Sequence, residues 1–205
     1  MRHIKFMLII NLFLCHTILA DTLSSADQLT RLLDQFTTLQ AQFTQTTTDL
    51  NQNVLQMSRG NVMLERPGRF RWDTLQPSHQ IVITNGNVLW IYDVDLKQAT
   101  KQSIENMPMN PAKLLSGHVA TLLKQFSIHM IPHQNIMVFQ LIPKKPNRAF
   151  RSIALAFSHE KLQSMQIENT MEQTTRFNFS NVRLNDSLPA SAFYFIVPSG
   201  VNVLQ

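Results

Sequence analysis

The sequence predicts a mainly β protein with a few short helices, built as one long, curved antiparallel sheet. Three observations carry that expectation. After a single amphipathic stretch, the spacing of apolar residues changes at Leu39 from helical to alternating, and most of the remaining chain keeps to strand-like runs. The connections between those runs are short, which suits antiparallel meanders rather than crossovers. Several runs, such as Val88-Leu89-Trp90-Ile91-Tyr92 and Ile136-Met137-Val138-Phe139, are apolar on both faces. A flat sheet covered on one side does not need that. A curved sheet whose concave side encloses an apolar space does.

The chain opens with a targeting segment. Arg2 and Lys5 give a positive start, Phe6 to Leu14 is apolar but for Asn11, and Ala20 fits the residue before a cleavage site. The apolar stretch is short of the roughly 20 residues that a membrane helix needs. Bulky Leu14 argues against lipid attachment at Cys15. Residues 1–20 are expected to be removed, leaving residues 21–205 as one exported, soluble domain. That product keeps 185 of the 205 residues, with 16 basic and 13 acidic side chains, a net charge of +3 and no cysteine. It has no disulfide and must be held by its core.

Ser25-Ala26-Asp27-Gln28 reads as a capping box, with Ser25 as the N-cap. Leu29, Leu32, Leu33 and Phe36 follow at helical spacing, and then Leu39, Ala41 and Phe43 alternate with polar residues. Further strands are expected over 54–65, 69–74, 80–84, 88–93, 97–103, 126–131, 136–142, 152–157, 163–168, 174–184 and 193–197. Asn85-Gly86 between two apolar runs is the strongest hairpin signal in the chain. The sheet is interrupted between Met107 and Lys124. There Asn110 can cap a helix, Pro111 suits its first position, and Leu114, Leu115, Val119, Leu122 and Leu123 form an apolar stripe.

The block Glu65-Arg66-Pro67-Gly68-Arg69-Phe70-Arg71-Trp72 is the most informative. In extended chain, Val62, Leu64, Arg66, Phe70 and Trp72 share one face, and Glu65, Arg69, Arg71 and Asp73 take the other. Arg66 thus falls in register with large apolar groups, where its donors need partners. That marks it as a latch or switch residue. The alternative is a surface arginine at a strand end, paired with a carboxylate. Pro67-Gly68 can also turn the chain and reset the register.

No catalytic or metal constellation emerges. His79, His118, His129, His133 and His159 lack ligand spacing, and the five glycines form no phosphate loop. Asp93-Val94-Asp95 reads as a polar hairpin end. No cofactor and no metal are expected. The pI of about 9.7 suggests anionic partners. Basic residues cluster at Arg66, Arg69 and Arg71 and again at Lys144, Lys145, Arg148 and Arg151. With Phe70 and Trp72 as stacking rings, the first cluster outlines a polyanion-binding alternative.

Taken in order, several segments resemble the LolA-type periplasmic carriers of outer-membrane lipoproteins. They are Leu39-Gln40-Ala41-Gln42-Phe43-Thr44-Gln45, Arg66-Pro67-Gly68-Arg69-Phe70-Arg71-Trp72, and Asn85-Gly86 followed by Leu89-Trp90-Ile91-Tyr92-Asp93. Asn110-Pro111 with Leu114-Leu115, Phe139-Gln140-Leu141-Ile142-Pro143-Lys144 and Pro198-Ser199-Gly200-Val201 complete the pattern. The resemblance implies an incomplete, strongly curved antiparallel β-barrel closed by a small α-helical lid. It implies a non-enzymatic chaperone that takes acylated lipoproteins from an inner-membrane ABC transporter and passes them to an outer-membrane receptor, working as a monomer without nucleic acid. Arg66 corresponds to the arginine that holds the lid, and Phe70 to a cavity phenylalanine. On this reading Val62, Leu64, Phe70, Trp72, Ile81, Ile83, Trp90, Phe139 and Leu141 line the acyl-chain cavity. Leu29, Leu32, Leu33, Phe36, Leu114, Leu115 and Leu122 belong to the lid. Flexible Met57, Met63, Met137 and Met165 suit either variable chains or ordinary core filling. A related half-barrel that senses envelope lipid or lipopolysaccharide is the other alternative. The short chain after Gly200 argues against a C-terminal extension strand.

Overall fold

The computed structural model describes residues 23–104, 111–146 and 148–204. The expected targeting segment with Cys15, and the expected cap Asn110, lie outside the described residues.

Helix α1 spans Ser25–Asp34. Its N-cap is Ser24, one residue earlier than the sequence suggests: Asp27 N donates to Ser24 Oγ at 3.1 Å, and Gln28 Nε2 donates to the Leu23 carbonyl. Ser25 is left free for another contact, accepting from Met130 N at 3.2 Å. The strands are β1 Thr38–Thr48, β2 Val54–Glu65, β3 Arg69–Gln76, β4 Gln80–Asn85, β5 Val88–Asp93, β6 Gln98–Ser103, β7 Phe126–His133, β8 Ile136–Pro143, β9 Phe150–Ser158, β10 Lys161–Asn169, β11 Thr174–Leu184 and β12 Asn202–Leu204. Between β6 and β7 lie two short helices, α2 Pro111–Ser116 and α3 Val119–Leu123.

Among the described residues twelve strands form one sheet, in the order β12-β6-β5-β4-β3-β2-β1-β11-β10-β9-β8-β7. Neighbours are antiparallel except β12, which runs parallel to β6. The two end strands do not pair with each other, so the sheet is open. It is nonetheless curled. Leu64, Phe70 and Leu89 from one half join Phe139, Phe157 and Met165 from the other in a single apolar cluster. Register shifts between Gln40 and Gln42, between Arg59 and Gly60, and twice along the β9–β10 pair help to bend it, because a bulge increases local twist.

Two expectations fail near the C-terminus. Residues 193–197 form no strand: Ala190–Phe193 is a 3-10 turn, and Phe195 packs on Trp90 and Tyr92 as irregular chain. A strand does form beyond Gly200, where β12 extends the edge at β6.

The hairpin at Asn85-Gly86 forms, with a shifted frame. Gly86 is first in the loop, at φ +99°, a conformation that favours glycine, and Asn85 Oδ1 accepts from Asn87 N and Val88 N.

Strand register decides which side chains face inward. Directly opposed residues share a face. Leu64, Phe70, Thr84 and Leu89 form one such row, and Val62, Trp72, Val82 and Ile91 the next. Both rows point to the concave side, where α1, α2 and α3 cover them. The alternate row, Met63, Arg71, Ile83, Trp90 and Lys101, points outward.

Candidate functional site

The concave interior is built by most of the residues that the sequence nominated. Val62, Leu64, Phe70, Trp72, Phe139 and Leu141 from the sheet and Leu29, Leu32, Leu33, Phe36, Leu114 and Leu115 from the helices are buried together. Ile81, Ile83 and Trp90 do not belong with them. They lie on the convex side in a second cluster with Tyr92 and Ala99, covered by Phe195 and Val201. The reason is register: β4 and β5 are apolar on both faces, and only pairing to β3 selects Val82 and Ile91 as the inward set. Leu122 is also displaced. The bend at Gly117 and His118 separates α3 from α2 and resets the helical phase, so Val119 and Leu123 are buried instead.

The methionines divide in the same way. Met165 is fully buried in the interior and Met137 packs against it, while Met63 points outward and Met57 is exposed. Trp72 is surrounded by Phe43, to which the alternation along β1 points, and by Phe177 and Phe179, which the expected cavity lining lacks, with ring centres 4.4, 5.4 and 6.4 Å away. The signal was present in the alternation of Phe177 and Phe179 along β11.

Arg66 brings a charged group to the edge of this interior. Residues 66–68 turn the chain between β2 and β3, so the extended run from Val62 to Trp72 is in fact a hairpin. Its faces survive the turn because Leu64 pairs with Phe70 and Glu65 with Arg69. The turn releases Arg66 from the strand and sends its side chain under the helices. Nε donates to the Leu115 carbonyl at 2.9 Å, and Nη1 donates to the carbonyls of Phe36, at 3.1 Å, and Leu33. The last carbonyls of a helix have no partner within it, and the negative end of the helix dipole favours a cation there. One guanidinium therefore joins the C-terminal ends of α1 and α2 to the sheet.

The backbone repeats the pattern. Arg66 N donates to Thr37 O, and Gly68 N to Ser116 O, both at 2.8 Å. Nη2 is buried without a hydrogen-bond partner among the described residues. Burial lowers the guanidinium pKa to about 10, opposed by the nearby Asp34 carboxylate. Charge-assisted hydrogen bonds contribute about 1.5–3 kcal/mol each, and desolvation of the cation offsets part of that. The cover is thus held by a few bonds whose net strength is modest.

The basic-cluster alternative does not fit this geometry. Phe70 and Trp72 are buried on the inner face, while Arg69 and Arg71 point outward and pair with Glu65 at 3.5 Å and Asp73 at 3.3 Å. Rings and cations cannot present one surface to a polyanion. Among the described residues no group of three or more His, Cys, Asp or Glu side chains is placed to hold a metal ion, and no helix is long and apolar enough to cross a membrane.

An open, curled antiparallel sheet with an apolar concave face and a helical cover tied down through Arg66 defines the half-barrel class of folds. Solved structures share the fold. One is an uncharacterized conserved protein from Thermus thermophilus, with a TM-score of 0.57 and 12% identity over 88% of this chain and 99% of that one. Another is the complex structure of Pseudomonas aeruginosa MucA/MucB, with a TM-score of 0.50 and 13% identity over 83% of this chain and 60% of that one.

Sequence relatives narrow the class. The outer-membrane lipoprotein carrier protein of Coxiella burnetii is 41% identical over 180 residues, 87% of this chain and 85% of that protein. The protein of the same description from Pseudomonas aeruginosa is 36% identical over 187 residues, 91% and 90% of the two chains. A family profile, outer membrane lipoprotein carrier protein LolA, matches residues 34–196. The chain belongs to the LolA family.

Proposed function

We propose that this protein is a periplasmic lipoprotein chaperone that shelters acyl chains between the concave face of its half-barrel and its helical cover. One observation carries the reading: the sheet interior and the underside of the helices form one continuous apolar cluster, closed by a latch centred on a single arginine. Membership in a family of carriers, rather than enzymes, supports it.

The physical task is severe. Each methylene moved from lipid to water costs about 0.8 kcal/mol, so a triacylated protein cannot cross an aqueous compartment unaided. In the empty carrier the leucines of α1 and α2 occupy the space between the sheet walls. Entering chains displace the cover, and their burial replaces the burial it gave up. Release lets Arg66 recover its carbonyls. The energy for loading has to come from outside, because the chain carries no phosphate loop. By family resemblance an inner-membrane ABC transporter supplies it, and an outer-membrane receptor accepts the cargo. Residues 1–20 direct export and are removed, leaving residues 21–205 as the carrier domain, a monomer that needs no cofactor.

The test is mass spectrometry of the protein purified from its native periplasm. Co-purified acylated lipoprotein is the expected result. A preparation with free lipid or lipopolysaccharide and no lipoprotein would instead favour a lipid-sensing half-barrel.

A further inference from the structure

The sheet ends at β7, which has a neighbour on one side only. Successive residues of such a strand turn their N–H and C=O groups alternately toward the neighbour and toward the free edge. Two observations fix the phase. Met130 N donates to Ser25 Oγ of α1 at 3.2 Å, so it points away from β8. Pro132 has no N–H to give a ladder, and it falls in the same phase. Ser127, His129 and Ile131 therefore serve β8, opposite Ile142, Gln140 and Val138, while Ile128, Met130 and Pro132 turn their backbone groups to the edge. Among the described residues the edge-facing groups of Ile128 have no hydrogen-bond partner.

This edge is also a rim of the interior. The side chains of Ile128 and Met130 pack against the interior apolar cluster, whereas Ser127, His129 and Ile131 are exposed on the other side. An open edge invites a further strand, and proteins blunt such edges. Here Pro132 and Ser25 do so, but Ser25 sits on the cover. When the cover is displaced, Met130 N loses its partner and the edge is bare beside the entering chains. Those chains are covalently attached to a polypeptide, which has to leave the interior across a rim. We propose that the β7 edge binds the extended segment of the cargo polypeptide next to its acylated residue, as an added strand, once Ser25 has released Met130. The proposal rests on the carrier reading and adds to it where the protein part of the cargo is held. Main-chain hydrogen bonds read no side chain, so such a site accepts cargoes of differing sequence.

The test is amide hydrogen exchange of the purified protein, followed residue by residue by NMR. In the empty protein, Ser25→Ala is expected to speed exchange at Met130 roughly fivefold, the equivalent of one neutral hydrogen bond, and to leave His129 unchanged. Two probes are then compared: a triacylated cysteine followed by a short glycine run, and the same triacylated cysteine ended as its methylamide. The longer probe is expected to slow exchange at both Ile128 and Met130 relative to the shorter one, by about tenfold. With the shorter probe Met130 is expected to exchange faster than in the empty protein. Binding of both probes with equal exchange at Ile128 would overturn the proposal and leave the carrier reading standing. Protection of Ile128 that appears only as the loaded protein dimerises would give the edge to a second copy of the chain and overturn it too. Binding of neither probe would remove the carrier reading, and this proposal with it.

Discussion

The guanidinium carbon of Arg66 lies 4.1 Å from the centre of the Phe36 ring, and the same guanidinium donates to the Phe36 carbonyl at 3.1 Å. Arg66 therefore grips this residue twice, through its ring and through its backbone, just past the end of α1. A cation over a ring face adds about 0.5–2 kcal/mol. The planar fork of arginine makes the double grip possible, with Nε left to reach Leu115.

Arg66→Leu removes those donors and adds apolar surface beneath the cover, so it shifts the balance toward the open, loaded form. Loading from inner-membrane vesicles is expected to proceed, with delivery to the outer-membrane acceptor slowed about tenfold or more, the equivalent of one lost charge-assisted bond. Arg66→Lys keeps the charge but not the fork, and is expected to fall between the two. Lipoprotein followed over time after addition of acceptor is the readout. Delivery by Arg66→Leu at the wild-type rate would remove Arg66 from the latch.

The pH dependence of the latch follows from its lowered pKa. The closed state binds the guanidinium proton less tightly than an open, solvated state does. Below about pH 10 both are protonated and the balance is flat. Between about 10 and the ordinary arginine value, rising pH favours the closed state. Binding of an apolar fluorescent probe is thus expected to be constant from pH 7.5 to 9 and to weaken above about 10. A transition centred below pH 9 would assign the latch to a different titrating group.

Gly60 tests the curvature of the sheet. A Cβ at this position would stand 1.9 Å from the Asp73 carbonyl oxygen, at the register shift between β2 and β3. Backbone, not a flexible side chain, fills the space, so Gly60→Ala has to part the two strands. The expected loss is about 2 kcal/mol, as for overpacking. That corresponds to about 4–8 °C in Tm for a chain of this size. Thermal unfolding of the unloaded protein measures it, and an unchanged Tm would mean that the bulge is soft.

The sequence and the structure agree where one physical signal dominates. Leu39, Ala41 and Phe43 alternate with polar neighbours, and β1 buries those three. Leu29, Leu32 and Leu33 repeat at helical spacing, and α1 buries them. Agreement fails where two signals coincide. Ser24 and Ser25 are both good caps, and the competition is settled by Ser25's contact with Met130, far away in the sequence. Ile83 and Val82 are equally apolar, so alternation cannot tell inside from outside in β4. Residues 193–197 have strand-like composition, but Phe195 serves as a cover for Trp90 and Tyr92. The apolar company of Arg66 was legible, whereas its partners at Leu33, Phe36 and Leu115 were not. They lie 30 to 49 residues away and are backbone carbonyls, which carry no sequence signature.

If acyl chains lie on the concave face, the two tryptophans of the chain report on it directly. Trp72 is buried in the interior beside Phe43, while Trp90 is on the convex face beside Phe195. Trp90→Phe leaves only the inner reporter, and Trp72→Phe only the outer one. Each variant is loaded with lipoprotein bearing brominated acyl chains, which quench indole fluorescence on contact. The expected result is strong quenching of Trp72 and none of Trp90. Quenching of Trp90 with Trp72 unaffected would put the chains on the wrong side of the sheet and contradict the account.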